Sequence, residues 1–329
     1  MKLVLEIKIN YPMKRNLPLS SCAIVAALIT SASATVTMDW VSIGDINNLA
    51  DQRTGNGSLG YGAVDHAYRI GKYEVTNAQY GEFLNAKGQS NTNAIYNSDM
   101  PRFGITQSGT SGSFSYTVTT ALANHPVVYI TWFDAARFAN WMMNGQGNAS
   151  MENGAYTLNG ATSGFITANI GAQVYIPSEN EWYKAAYYNA ANASYSLYPN
   201  GRNTMAEADA NIEFSVGNGE STNVGTYSHA PSSYGTYDQG GNVWEWNDAV
   251  ISGIYGSGRG LRGDGWGDGS DTAGDRYMRS TFRVDYGNGG SASVNSFVLG
   301  FRVASVVPEP TSIVLSMLAG GMVLIRRKR

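Results

Sequence analysis

The chain has 329 residues with 22 basic and 25 acidic side chains, and its ends differ sharply from its middle. Without residues 1–34 and 308–329, the 273-residue body keeps 14 basic against 23 acidic groups, a charge of about −9 that lacks the Lys/Arg footprint phosphate neutralisation needs and argues against a nucleic-acid partner. A hydrophobic content of 43% with 21 tyrosines excludes a disordered chain, and 39 glycines point to many turns and little long helix.

The first element is an address. Lys14-Arg15, an apolar run from Leu17 to Thr30 and Ala32-Ser33-Ala34 have the order of a secretory signal peptide cleaved after Ala34, with Met13 an equally sufficient start. Most of the apolar run follows Cys22, the reverse of a lipoprotein box, so Cys22 reads as part of the discarded leader. It is the only cysteine, which leaves no disulfide, zinc-thiolate or cysteine-pair chemistry in residues 35–329.

Three helix starts follow from capping chemistry, in which a hydroxyl accepts from a first-turn N–H while a residue three later reaches back. Thr76 with Gln79 opens a helix through Leu84, stopped near Gly88. Thr131 with Asp134 opens one whose apolar positions Trp132, Ala135, Ala136, Ala139, Met142 and Met143 keep helical spacing up to Gly145. Ser178 with Glu181 opens a third, to about Tyr188. Each follows a β-like run: Tyr68–Val75, Val127–Ile130 and Val174–Ile176. From Gly217 onward, Gly, Asn, Ser and Asp with isolated aromatics suit turns and short strands. Residues 35–307 read as one α+β domain, with the stretches at 85–118 and 144–171 as loop insertions.

At the other end Pro308-Glu309-Pro310 leads into thirteen residues, Ile313–Ile325, with only Ser316 polar, and then Arg326-Arg327-Lys328-Arg329. The run is short of the roughly 20 residues that span a bilayer comfortably, and the terminal cations would hold it with the body outside. Order and position resemble the PEP-CTERM sorting signal of Gram-negative bacteria. That resemblance implies export, transient anchoring of residues 308–329 in the inner membrane, and cleavage by an exosortase-type enzyme before display or release. An ordinary tail anchor gives the same topology.

Six segments in order resemble the sulfatase-modifying-factor family, whose type member is the formylglycine-generating enzyme: YRIGKYEVTNAQYGEFLNA from Tyr68, HPVVYITWFDAARFANWM from His125, YIPSENEWYKAAYY from Tyr175, YDQGGNVWEW from Tyr237, RGLRGDGW from Arg259 and GFRVAS ending at Ser305. The resemblance implies a C-type-lectin-like α+β fold with short helices and many loops. It also implies a copper(I) ion held by two cysteine thiolates, which soft ligands select. Counting back from Arg283, matched to the family's arginine, those positions fall near Ser270 and Asp275, and no register supplies a thiol, so no copper is expected. Relatives resembling ergothioneine synthases bind iron through histidines of a helical domain without counterpart here. His66, His125 and His229 are 59 and 104 residues apart, and none forms an i, i+4 pair.

In that family the segment matching Asp238–Glu245 wraps calcium. Here Asp238 and Glu245 offer carboxylates, and the resemblance places backbone carbonyls at Gly241 and Val243. Glu245 reads alternatively as a buried, hydrogen-bonded acid between Trp244 and Trp246. A second family site would use Asn211 and the Ile212 carbonyl. Trp244, Trp246 and Trp266 read as core sooner than as a ligand platform, and the acids of Gly263–Asp275 as a solvated loop. The expectation is an exported binding or structural module, its ligand a surface polysaccharide or protein. The alternatives are a metal-dependent oxidase or modifying enzyme, and an accessory subunit that binds peptides.

Overall fold

A computed structural model describes residues 35–53, 60–212, 220–253, 256–267, 276–285 and 293–308. The leader expected at residues 1–34 and the tail from Glu309 lie outside them. The described residues belong to one compact unit.

In chain order, β1 (Trp40–Ile43) and β2 (Tyr68–Gly71) precede α1 (Asn77–Lys87), and the hairpin β3 (Ile105–Ser108) and β4 (Ser115–Val118) precedes α2 (Trp132–Met143). Then come β5 (Val174–Tyr175), α3 (Glu179–Tyr187), the hairpin β6 (Tyr188–Asn189) and β7 (Ser194–Tyr195), and the long hairpin β8 (Trp244–Gly253) and β9 (Gly256–Arg262). Three short strands close the order: β10 (Val284–Asp285), β11 (Leu299–Phe301) and β12 (Ala304–Val306). Two four-stranded sheets organise the body, β1-β2-β12-β5 and β10-β9-β8-β11, the second with β11 parallel to β8 and the other pairs antiparallel. This is the mixed, loop-rich α+β architecture the sequence implies.

All three capping boxes form. Thr76 Oγ1 accepts from the Gln79 N–H at 3.3 Å while Gln79 Oε1 accepts from the Thr76 N–H at 2.9 Å. Thr131 with Asp134 and Ser178 with Glu181 repeat the exchange at 2.8–3.2 Å. Each satisfies first-turn donors that would otherwise be orphaned. Helix α2 is buried at every position from Trp132 to Trp141, so it is the central rod of the core and not a surface helix. Phe138 packs against Phe83 of α1 at 5.7 Å and Phe301 of β11 at 5.4 Å between ring centres, and Trp132 meets Tyr156 at 5.1 Å.

Two expectations change. Val127, Val128 and Ile130 are buried, but the run is not a strand: Tyr129 takes a left-handed φ of 61° and its N–H donates to the Ser296 carbonyl at 2.9 Å, which breaks a ladder. Residues 85–118 are not wholly loop, because β3 and β4 pair within them.

Candidate functional site

Residues 238–242 form a turn of unusual backbone, with Asp238, Gly241 and Asn242 at φ of 58°, 81° and 63°. Glycine is required at 241, where a Cβ would sit 2.6 Å from the Asn211 carbonyl oxygen. The Gly241 N–H donates to Gly263 O at 2.7 Å, and the Asn242 N–H donates to Asn211 O at 2.7 Å. The Asn242 side chain then ties in two more segments, accepting from the Thr222 N–H at 2.9 Å and donating to Glu74 Oε1 at 3.0 Å. Asn211 and Ile212, assigned above to a separate site, therefore lie against the Asp238–Glu245 loop. The Asn211 amide donates to Glu220 O at 3.0 Å.

Beyond the turn, β8 lies parallel to β11 with Glu245 opposite Gly300, so that Arg302, two residues on, reaches the same place. Arg302 is fully buried and donates from Nε and Nη2 to the two oxygens of Glu245, both at 2.6 Å. Trp182 Nε1 of α3 donates to Glu245 Oε2 at 2.7 Å. Glu245 is thus the buried, hydrogen-bonded acid of the alternative reading, with both oxygens engaged by protein donors. The geometry also brings in Glu74, which sequence reasoning missed. It is 1% exposed, and its Oε2 has no hydrogen-bond partner among the described residues. The available signal was an acid set between Tyr73 and Val75 in an otherwise β-like run.

Three carboxylates, Glu74, Asp238 and Glu245, therefore influence one guanidinium, Arg302. Burial, and next the Asp238 charge, pushes the Glu74 carboxyl well above its ordinary range. Burial, then the Glu245 charge, pushes Asp238 up to about 6, against the pull of Gly225 N–H, which donates to it at 2.6 Å, and of Arg302. An excess of negative charge under low dielectric is relieved either by protons or by a bound cation. Among the described residues no group of three or more His, Cys, Asp or Glu side chains is placed to hold a metal by itself, so a cation here would depend on backbone carbonyls.

The remaining candidates separate. His66 meets Glu181 at 3.1 Å and Asp65 at 2.8 Å, and these contacts, Glu181 first, lift it to about 9 against burial. His125 meets Ser221 at 3.0 Å, its pKa lowered by burial, and His229 faces Asp209 at 3.3 Å. Each histidine has partners of its own. Ser270 and Asp275 fall outside the described residues. Arg283 donates to Glu179 Oε2 at 2.9 Å, and Arg262 contacts Oε1 of the same acid at 2.8 Å, with Tyr61 ring centres about 5 Å from both guanidiniums. Trp244, Trp246 and Trp266 are 6%, 0% and 3% exposed, which places all three in the core.

The sulfatase-modifying factor enzyme 1-like domain matches residues 41–307. The chain belongs to that family. Treponema denticola variable protein 1 is similar at 22% identity and TM-score 0.53, over 83% of this chain and 99% of that one. A crystal structure of CarF is similar at 20% identity and TM-score 0.52, with 83% and 99% covered. These likenesses establish the fold of the sulfatase-modifying-factor domain and not an activity. No curated protein matches the chain.

Proposed function

We propose that this sulfatase-modifying-factor domain is an exported, non-catalytic binding or structural module of the bacterial envelope. The observation that carries the reading is the absence of any cysteine between residues 35 and 329, which removes the thiolates that copper-dependent cysteine oxidation requires. In support, the three histidines have separate partners, and Glu179 joins Arg262 and Arg283 in an ion-pair network that the fold uses for packing. The leader at 1–34 and the PEP-CTERM-like tail at 308–329 are the grounds for export, transient inner-membrane anchoring and exosortase processing. The ligand is a surface polysaccharide or a protein.

Calcium fits this reading as a structural ion. The donor chemistry is hard oxygen: the Asp238 carboxylate with the carbonyls of Gly241 and Val243, backed by the charge of Glu245 and Glu74, which Arg302 only partly offsets. When bound, the ion neutralises that excess and fastens the turn. Asn211 and Ile212 are the grounds for a second ion, and metal analysis of the purified protein distinguishes two equivalents from one.

The activity test incubates the purified protein with copper(I) or iron(II) and a cysteine-containing sulfatase peptide, and reads the peptide by mass. An unchanged peptide is the expected result. A formylglycine product overturns the non-catalytic reading in favour of a metal-dependent oxidase.

A further inference from the structure

A cavity of about 530 Å³ opens beside the N-terminus of α1. Asp39, Glu74 and Glu82 line it together with Thr35, and none of the described lining residues is Lys, Arg or His. Acids gathered on one wall favour positive charge there, which protons or a cation supply. The buried Glu74 is among these groups, and its Oε2 has no hydrogen-bond partner among the described residues. Lys72, the neighbouring cation, lies over the rings of Tyr73 and Tyr237 at 5.3 Å from each centre.

The chain enters the core at the same place. Val36 is 6% exposed, and both its backbone groups pair with one side chain: its N–H donates to Gln146 Oε1 at 2.7 Å and its carbonyl accepts from Gln146 Nε2 at 2.8 Å. The next carbonyl, of Thr37, accepts from Gln79 Nε2 of α1 at 2.9 Å. Chain ends are ordered only where something ties them down. Here the tie begins one residue after Thr35, so the position of Thr35 along the cavity wall is set by Val36.

We propose that removal of the leader after Ala34 supplies a cation to this wall, and that the cavity is a binding site for the α-ammonium of Thr35. The inference rests on the export reading above. Hydrolysis by a leader peptidase breaks the Ala34–Thr35 amide. Water supplies the hydroxyl that leaves with the leader as the Ala34 carboxylate, and the amine of Thr35 takes up a proton at neutral pH. A neutral amide in the precursor thereby becomes a positive charge on the cavity wall that also carries Asp39, Glu74 and Glu82. The groups around it are the carboxyls of Asp39, Glu74 and Glu82 and the Tyr73 ring, with Lys72 over that ring and Arg302 acting on Glu74 from the core. Processing is in this way coupled to the stability of the mature body.

The test uses the full chain exported from a Gram-negative host. Intact mass first reads the mature terminus, and a start other than Thr35 rejects the processing site and the inference with it. The α-amine is then acetylated with limiting acetic anhydride across pH 6–10, which leaves the Val36 N–H on Gln146, and modification of the terminal peptide is read by mass. A free α-amine titrates at about 7.7–8.0. On this wall it titrates about one unit higher, so at pH 7 it reacts about tenfold more slowly than in an Asp39→Asn/Glu82→Gln variant, and the two rates converge near pH 10. Asp39 is exposed and Glu82 half-buried, and melting of the variant verifies that it is folded. A start at Thr35 with the same ordinary titration in both proteins overturns the inference and leaves the export reading intact. The same result accompanied by protection of the cavity by added ethylammonium assigns the site to an external amine instead, and also overturns it.

Discussion

Replacing Arg302 with methionine tests whether the Asp238–Glu245 loop is held by its ion pair. The guanidinium makes two 2.6 Å contacts to Glu245 and donates to the carbonyls of Gly71, Lys72 and Tyr237 at 2.9, 3.3 and 2.9 Å. Methionine fills much of the volume and supplies none of the five donors. Glu245, which is 0% exposed, keeps only Trp182, while Glu74 and Asp238 lose the cation that partly offsets them. Breaking a buried pair from one side costs about 3–5 kcal/mol, far more than the pair contributes relative to apolar residues. In a domain of this size that is a fall in Tm of roughly 5–9 °C. Urea unfolding at pH 7 gives the cost from the shift in midpoint at constant slope. The double variant Arg302→Met/Glu245→Gln removes the orphaned charge as well, and recovers roughly 1–3 kcal/mol relative to additivity. A single variant within 1 kcal/mol of wild type would refute the reasoning, since the pair would then be doing no work that packing cannot replace.

Three further outcomes follow from the same geometry. Because Asp238 is lifted to about 6, the folded protein binds its proton more tightly than the unfolded chain does, so this contribution is complete below about pH 4 and lost as pH rises through 6. Calcium at a hundredfold excess over Kd then raises stability at pH 7.5 by about 2.7 kcal/mol and by less at pH 5; calorimetry with calcium and with a chelator that shows no difference at either pH sinks the calcium proposal. His66 titrates near 9 by NMR, held there by Glu181, and its stabilisation is present below 6.5 and lost between 6.5 and 9. His66→Gln flattens that limb of the pH profile, and an imidazole titrating below 7 contradicts the contact. Thr131→Ala removes the α2 cap and costs about 1 kcal/mol by urea unfolding, whereas a neutral result means that burial alone sets the start of the helix.

The three helix starts were legible because a capping box is a contact across three residues, with donors and acceptors that composition displays directly. The strands were less so. The run Val127–Ile130 has the branched, apolar character of a strand, yet its backbone partners are Val75 and Ser296, and the left-handed Tyr129 between them cannot be inferred from side-chain type. The ten-residue β8 lies in a stretch that reads as turns and short strands, because Gly and Asn dilute the alternation and pairing with β9 and β11 is fixed by tertiary contact. At the site, the loop and its glycine were readable as a turn. Glu245 was ambiguous because its partners Trp182 and Arg302 are 63 and 57 residues away. The approach of Glu74 to Asn242, across 168 residues, leaves no local trace.

These long-range contacts also explain how the architecture stands without thiols. Glu245 is secured by a guanidinium and an indole, Asn242 by Thr222, Glu74 and Asn211, and Glu179 by Arg262 and Arg283. None of these contacts involves sulfur. The segment GGNVWEW is therefore a packing device: its tryptophans fill the core, its glutamate anchors Arg302, and its glycine admits the Asn211 carbonyl. The contacts that hold the loop are independent of any thiol, which is why the motif is evidence of family and not of activity.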